Sequence, residues 1–336
     1  MALEAAGCPG LCAAGFGFKK EKAPEVVSPG LLIERSVVPC YHPIDAWHSS
    51  RGVAFVETLD SNKIKLPCGR CIGCRLERSR QWALRLVHEK RFHEESAFIT
   101  LTYDENNLPE GGSLEVKHFQ DFMKRLRKRV GSAKLRFFHA GEYGEKKGRP
   151  HYHAIIFGAS FLEGACDVET TDRGDTTWRS PMLSELWPAG GNRVGGVTFE
   201  SCAYVARYVT KKVYGARALS HYERFSELTG EVFRIRPEYC TMSRRPGIGS
   251  LHFDKYSGEI YPADEVISRG HPSKPPKYYD RQLEKCNPAL YASVKDNREC
   301  ALALSPMKDR TPDRLRVREA VKLAQIGHLN RRYEIG

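Results

Sequence analysis

Several absences bound what this chain does. Nowhere in its 336 residues is there a run approaching the ~20 apolar residues that a membrane-spanning helix needs. No G-x-x-x-x-G-K-[ST] occurs, so a built-in P-loop motor is not expected. The start, MALEAAGCPGLCAAGFGFKKEK, has no basic opening and no long apolar stretch, so it is not read as a secretory leader. Residues 1–37 are read as a flexible lead-in. There is no internal repeat. Acidic residues are short: 41 Asp and Glu against 53 Lys and Arg give a net charge of +12 and a pI of about 9.2. That imbalance favours polyanionic partners, nucleic acid first and an anionic membrane surface second.

The 41% of hydrophobic residues is enough for a real core. The 11 cysteines are odd in number, which points to a reducing compartment and away from a disulfide framework. Most stand singly, as small apolar residues do. Cys68, Cys71 and Cys74 do not: they are spaced C-x₂-C-x₂-C, and Cys40 in 40-CYHP-43 is the natural fourth thiolate. A closed tetrahedral zinc site fits, with His42 as the alternate fourth ligand. An iron–sulfur cluster competes, but its usual run carries a further Cys followed by Pro, which is missing here.

The stretch 148-GRPHYHAIIFG-158 puts two histidines one residue apart at the head of an apolar run. In a strand His151 and His153 share one face, while Tyr152, Ala154 and Ile156 point to the other. Glu142 stands across a Gly- and Lys-rich turn in the preceding strand. Two histidines and a carboxylate with open positions suit a catalytic divalent ion. Glu145, within the turn, is the weaker ligand, and Glu142 pairing with Lys146 or Lys147 is the plain alternative. Downstream, Tyr204 and Tyr208 are four apart and share a helix face. Lys211 and Lys212 follow one turn later, where a cation favours a phenolate. The same spacing also describes an amphipathic stripe packed on a sheet.

The patterning predicts a helix after Cys74 with Leu76, Trp82, Ala83 and Leu86 as its apolar stripe, and strands at 97–103 and 134–144. It predicts a helix over about 115–130 with Phe119, Phe122, Met123, Leu126 and Val130 inside. Lys124, Arg125, Arg127, Lys128 and Arg129 crowd the outside of that helix, as a DNA-binding surface would require. A short strand is expected at 196–200, a helix at 201–215 with Ser201 as its cap, and a basic helix over about 308–332.

These stretches resemble a known family. The segments 98-FITLTY-103, 151-HYHAIIF-157 and 204-YVARYVTKK-212 resemble, in order and spacing, the three motifs of HUH endonucleases. Further, 67-PCGRCIGCRLERSRQWALR-85, 141-GEYGEKKGRPHYH-153 and 243-SRRPGIG-249 resemble the replication initiators of small single-stranded DNA phages of the microvirus family, gokushovirus branch. The resemblance implies an α+β fold: an antiparallel, RRM-like or ferredoxin-like sheet with helices covering one face and the tyrosine helix across the other, plus a small Cys-ligated module. It implies a domain order of 38–95 (Cys module and basic helix), 96–215 (nuclease core) and 216–336 (basic region contacting DNA). It implies Mg²⁺ or Mn²⁺ on His151, His153 and Glu142, and structural Zn²⁺ on the four cysteines. It further implies cutting of one strand of the replicative form with a 5′-phosphotyrosine intermediate, and later rejoining to release a circle.

The missing P-loop then implies a host helicase and polymerase, and the bacterial cytoplasm as the place of work. Single-stranded DNA would stack on Trp178, Tyr278 and Tyr279. The rival readings are a transposase or relaxase with the same chemistry, or a non-catalytic zinc-stabilised regulator, which would leave the histidine strand and the tyrosine pair unexplained.

Overall fold

The computed structural model describes residues 40–330 except 51, 58–60, 145–147, 171–175, 209–212, 214–216, 226–229 and 305–309. The expected lead-in, Glu145 and the lysines at 211 and 212 lie outside the described residues.

A small antiparallel sheet opens the described chain, with β1 (Ile44–Ser49) between β2 (Gly52–Ala54) and β3 (Asn62–Leu66). Helix α1 (Ile72–Lys90) follows, then β4 (Ser96–Thr102), α2 (Val116–Val130), β5 (Arg136–Tyr143) and β6 (Pro150–Phe157). Next come β7 (Cys166–Thr170), β8 (Thr176–Arg179), α3 (Pro181–Leu186), β9 (Asn192–Gly195) and α4 (Phe199–Arg207). Beyond these lie α5 (Arg217–Tyr222), the hairpin of β10 (Glu223–Phe225) and β11 (Val232–Arg234), and β12 (Tyr239–Met242). The chain continues through α6 (Ser250–Ala263), the hairpin of β13 (Val266–Ser268) and β14 (His271–Ser273), α7 (Lys277–Cys286), α8 (Pro288–Ala303) and α9 (Pro312–Asn330).

The main sheet runs β12-β5-β6-β4-β9-β8-β7, with every neighbouring pair antiparallel. Alternation along its strands divides the side chains between two cores. Ile99 and Leu101 of β4, and Tyr152, Ala154 and Ile156 of β6, join Phe119, Phe122, Met123 and Leu126 of α2 on one face. Phe138, Ala140, Ile155 and Phe157 meet Ala83 and Leu86 of α1 and Cys202, Val205 and Ala206 of α4 on the other. The α+β class and the antiparallel sheet therefore agree with expectation, but helices cover both faces. The reason is α1, which is buried on two sides: Leu84 points away from the sheet into a third core of α6, α7 and α8 residues.

That two-sided burial traps polar groups the helical pattern does not reveal. Glu89 is fully buried. It accepts from Gly249 N at 2.6 Å and from the Arg136 guanidinium, and lies 3.2 Å from His93 Nε2. Burial pushes its carboxyl up, but these partners outweigh it and hold it below the ordinary carboxylate range. His88 and His252 stack with ring centroids 3.7 Å apart, and His88 Nδ1 lies 2.8 Å from the Tyr279 hydroxyl. Burial lowers their pKa values to about 3 and about 4.

Unfolding lets both histidines take protons that the folded chain refuses, so stability is lost as pH falls below the unfolded value of about 6.5. At pH 5 the loss is about 2 kcal/mol for each ring. The melting temperature should drop from pH 7 to pH 5, and His252→Phe, which keeps the stack without a titrating ring, should flatten that drop. An unchanged slope would show that other groups govern acid sensitivity.

Two local expectations are corrected. The strand expected at 196–200 lies at Asn192–Gly195. The following helix starts at Phe199 because Thr198, not Ser201, is its cap. Thr198 Oγ1 accepts from Ser201 N at 3.2 Å and Ser201 Oγ accepts from Thr198 N at 2.8 Å, a reciprocal capping box. Tyr208 is consequently the C-terminal cap of α4 rather than a mid-helix residue.

Candidate functional site

The two histidines arrive on one sheet face because β6 is regular there, and Glu142 arrives beside them because β5 pairs with it in register, Glu142 opposite His151. Glu142 Oε1 lies 2.8 Å from His151 Nε2 and 3.1 Å from His153 Nε2. The three ligand atoms fall within 4.8 Å of one another. Burial pushes the Glu142 carboxyl up, but hydrogen bonding to the two imidazoles outweighs it and holds the group far below the ordinary carboxylate range.

The far side of each ring tests whether a cation fits. His151 Nδ1 is 3.2 Å from the Arg149 carbonyl oxygen, which only accepts, so that nitrogen carries the proton. His153 Nδ1 is 2.9 Å from Thr100 Oγ1, which can accept in the same way. With both protons so placed, two Nε2 lone pairs and a carboxylate converge, and a divalent cation satisfies all three.

The tyrosines close this site from above. The His153 ring lies 5.2 Å from Tyr204, edge to face, and 5.1 Å from Tyr208, stacked at 5°. The two phenol rings are themselves 5.1 Å apart at 86°. Their environments differ. Tyr204 is half-buried, whereas Tyr208 is only 4% exposed. Burial first, then the Glu142 charge, pushes the Tyr208 phenol far above its ordinary pKa. The four-residue spacing thus places both tyrosines against the histidines, as the sequence suggested, but not equivalently.

A second cluster forms where α1 begins. The Sγ atoms of Cys40, Cys68, Cys71 and Cys74 also lie within 4.8 Å of one another, with Cys71 and Cys40 at 3.9 Å. A tetrahedron with Zn–S bonds of about 2.3 Å has edges of about 3.8 Å, so the spacing fits a bound ion and is far too long for a disulfide. Backbone N–H groups donate to the sulfurs: Cys68 to Cys40 at 3.2 Å, Tyr41 to Cys71 at 3.3 Å, and Cys71 to Cys68 at 3.3 Å. Burial pushes the Cys68 thiol up, but these donors and the neighbouring thiols bring it down to about 7. His42 is not in the set; its Nε2 lies 2.6 Å from Glu319 of α9.

Cys71→Ser should lower thermal stability and yield of folded protein, because a structural metal contributes folding free energy directly. Elemental analysis of the purified chain should give about one zinc. Iron with a brown colour would replace zinc by an iron–sulfur cluster.

Other expected residues lie elsewhere. Lys124, Arg125, Arg127, Lys128 and Arg129 belong to α2, which packs on the sheet face opposite the histidines. Lys124 pairs with Asp121 at 3.1 Å, and Arg125 Nε donates to the Leu186 carbonyl at 2.8 Å. The structure does not bring this basic helix to the Glu–His–His site. Tyr279 is fully buried beneath His88, so it is core and no stacking platform. Tyr278 faces the Arg85 guanidinium at 4.0 Å, and Trp178 packs on the α2-side core. Phe98 and Thr100, which flank His153, are site residues that sequence reasoning did not single out. The alternation of 98-FITLTY-103 carried the signal, but only pairing with β6 reveals it.

Fold and site together define an α+β protein with two side-chain clusters competent to hold metal ions, one of them beneath a tyrosine-bearing helix. Residues 96–213, which span that site, match the family model of the replication-associated proteins of ORF2 type. The chain is 31% identical over 255 residues to Replication-associated protein ORF2 of Spiroplasma virus 4, covering 71% of this chain and 74% of that protein. It is 29% identical over 290 residues to Replication-associated protein VP4 of Bdellovibrio phage phiMH2K, covering 82% and 87%. It is 31% identical over 255 residues to Replication-associated protein ORF4 of Chlamydia phage 1, covering 72% and 57%. No solved structure gives a significant match. The chain belongs to the family of phage replication-associated proteins, the replication initiators of microvirus type.

Proposed function

We propose that this initiator is an HUH-type endonuclease that starts rolling-circle replication by cutting one strand of the viral replicative form at its origin. The observation that carries this reading is the convergence of Glu142, His151 and His153 beneath Tyr204 and Tyr208. A bound Mg²⁺ or Mn²⁺ would polarise the scissile phosphate. Glu142 and the two Nε2 atoms would hold it, and the Arg149 carbonyl and Thr100 hydroxyl would orient the rings. A tyrosine oxygen attacks phosphorus in line, the bond to the 3′-oxygen breaks, and the phenol proton is lost to the surroundings. The 5′-phosphate stays on tyrosine, and the freed 3′-OH, having taken a proton, primes synthesis. The second tyrosine then serves the closing cut, and rejoining releases circular single-stranded DNA.

In this reading the cysteine module (38–95) is a zinc-held scaffold, residues 96–215 carry the chemistry and residues 216–336 contact DNA. Lys211 and Lys212 would stabilise phenolate charge. Host helicase and polymerase would supply unwinding and synthesis in the infected bacterial cytoplasm. The basic face of α2 would hold duplex phosphates away from the cutting site. Replacing Arg125, Lys128 and Arg129 together should weaken binding alike for all sequences and flatten its salt dependence; a loss confined to origin DNA would instead assign α2 to base readout.

The decisive test is incubation of the full chain with supercoiled origin DNA and Mn²⁺. Nicked circles carrying covalently bound protein are expected. Binding without any nick or adduct would leave a non-catalytic regulator.

A further inference from the structure

The first strand of the site has so far no chemical role of its own. It carries the stretch 98-FITLTY-103, and its partner is the histidine strand, with Thr100 directly opposite His153. Thr100 Oγ1 is 2.9 Å from His153 Nδ1. Phe98, two residues earlier on the same face, lies nearly parallel to the His153 ring at 5.7 Å and 11°. Tyr208 is parallel to that ring as well, at 5.1 Å. The two histidines are therefore held by different means. His151 Nδ1 donates to a backbone carbonyl, which no substitution removes. His153 Nδ1 meets a side-chain hydroxyl instead.

We propose that Thr100 is a positioning residue of the ion site: its hydroxyl accepts the Nδ1–H of His153 and keeps the Nε2 lone pair aimed at the ion. Threonine suits the task because its β-branch limits χ1 and so fixes where the hydroxyl sits. A hydroxyl can also donate. In the other tautomer Thr100 would donate to Nδ1 and His153 would turn an N–H on Glu142, a state that cannot take an ion. The acceptor role is the one that ion binding selects. Partners of this outer kind alter metal affinity by about 10- to 100-fold when removed.

This inference rests on the Glu142–His151–His153 ion site of the proposed function, and the test separates the two. Mn²⁺ is titrated into the full-length protein, and the free ion is followed by electron paramagnetic resonance. The cysteine cluster does not compete, since thiolates prefer softer metals. Thr100→Val, equal in shape and lacking the hydroxyl, should bind Mn²⁺ about 10- to 100-fold more weakly, with Thr100→Ser restoring affinity to within a few-fold. Thr100→Ala serves in its place should the valine variant fail to fold. Wild-type affinity in Thr100→Val, or a loss in Thr100→Ser as large as in Thr100→Val, would overturn the role of the hydroxyl. His153→Ala is the control. Lost binding there with intact binding in Thr100→Val sinks this inference alone, whereas intact binding in His153→Ala sinks the ion site and the inference with it.

Discussion

The double variant His151→Ala, His153→Ala should lose origin nicking by at least about 10³-fold. A divalent ion contributes several kcal/mol to stabilising charge at the scissile phosphate, and each 1.36 kcal/mol is a factor of ten in rate. Removing two of three ligands removes that contribution. The variant is also less stable, by about 1–3 kcal/mol, because Glu142 stays buried without the two rings that hold its carboxyl down. His151→Ala alone separates the two effects: His151 is half-buried, whereas His153 is 3% exposed and packs between Phe98 and Tyr208. It should stay folded by circular dichroism and still fail to nick. Wild-type nicking by the folded double variant would exclude these histidines from the chemistry.

The tyrosine variants should divide more sharply than a symmetric pair would. Tyr204→Phe should reduce the first cut at least about 10-fold more than Tyr208→Phe, an expectation tied to the barrier for a buried, charge-opposed phenol to ionise. Tyr208 sits 4% exposed and faces Glu142, whose charge opposes a phenolate, while Tyr204 lies at the half-open rim. Completion needs a second nucleophile while the first is esterified, so each single variant should fail to release closed circles. The double Phe variant should form no adduct yet still bind DNA, because no surface charge is lost. Mass spectrometry of the trapped peptide locates the phosphotyrosine. An adduct at any other tyrosine, or full cycling by either single variant, refutes the two-nucleophile mechanism.

Much of this site was legible locally. His151 and His153 declare themselves by strand alternation, the C-x₂-C-x₂-C run by its spacing, and α2 by its helical period, which the structure places at Val116–Val130. What was not legible depends on partners far away in the chain. Nothing near residue 88 or 89 announces that α1 is covered on both sides, so His88 and Glu89 look like surface residues of a charged helix. Ser201 looks like a cap until Thr198 is seen to take its N–H. Tyr278 and Tyr279 are neighbours in a basic, Pro-rich run, yet α7 turns Tyr279 fully inward. The burial difference between Tyr204 and Tyr208 arises where α4 ends, and helix ends are the feature that periodicity fixes least.

The β12 strand has a consequence for how the enzyme comes into being. It pairs with β5 through Tyr239 opposite Gly141 and Met242 opposite Phe138, so it borders the strand that carries Glu142. During translation β5 and β6 are made about a hundred residues before their neighbour, and long-range pairing of this kind forms late and slowly. A nascent chain that has already exposed both histidines to the cell still lacks the edge of its own sheet. Nucleolytic competence is therefore expected to appear only after Met242 has been synthesised, and prematurely terminated chains that end before it should be harmless to the genome that encodes them. Ribosome-bound chains of increasing length, assayed for nicking, would show whether activity switches on at that point.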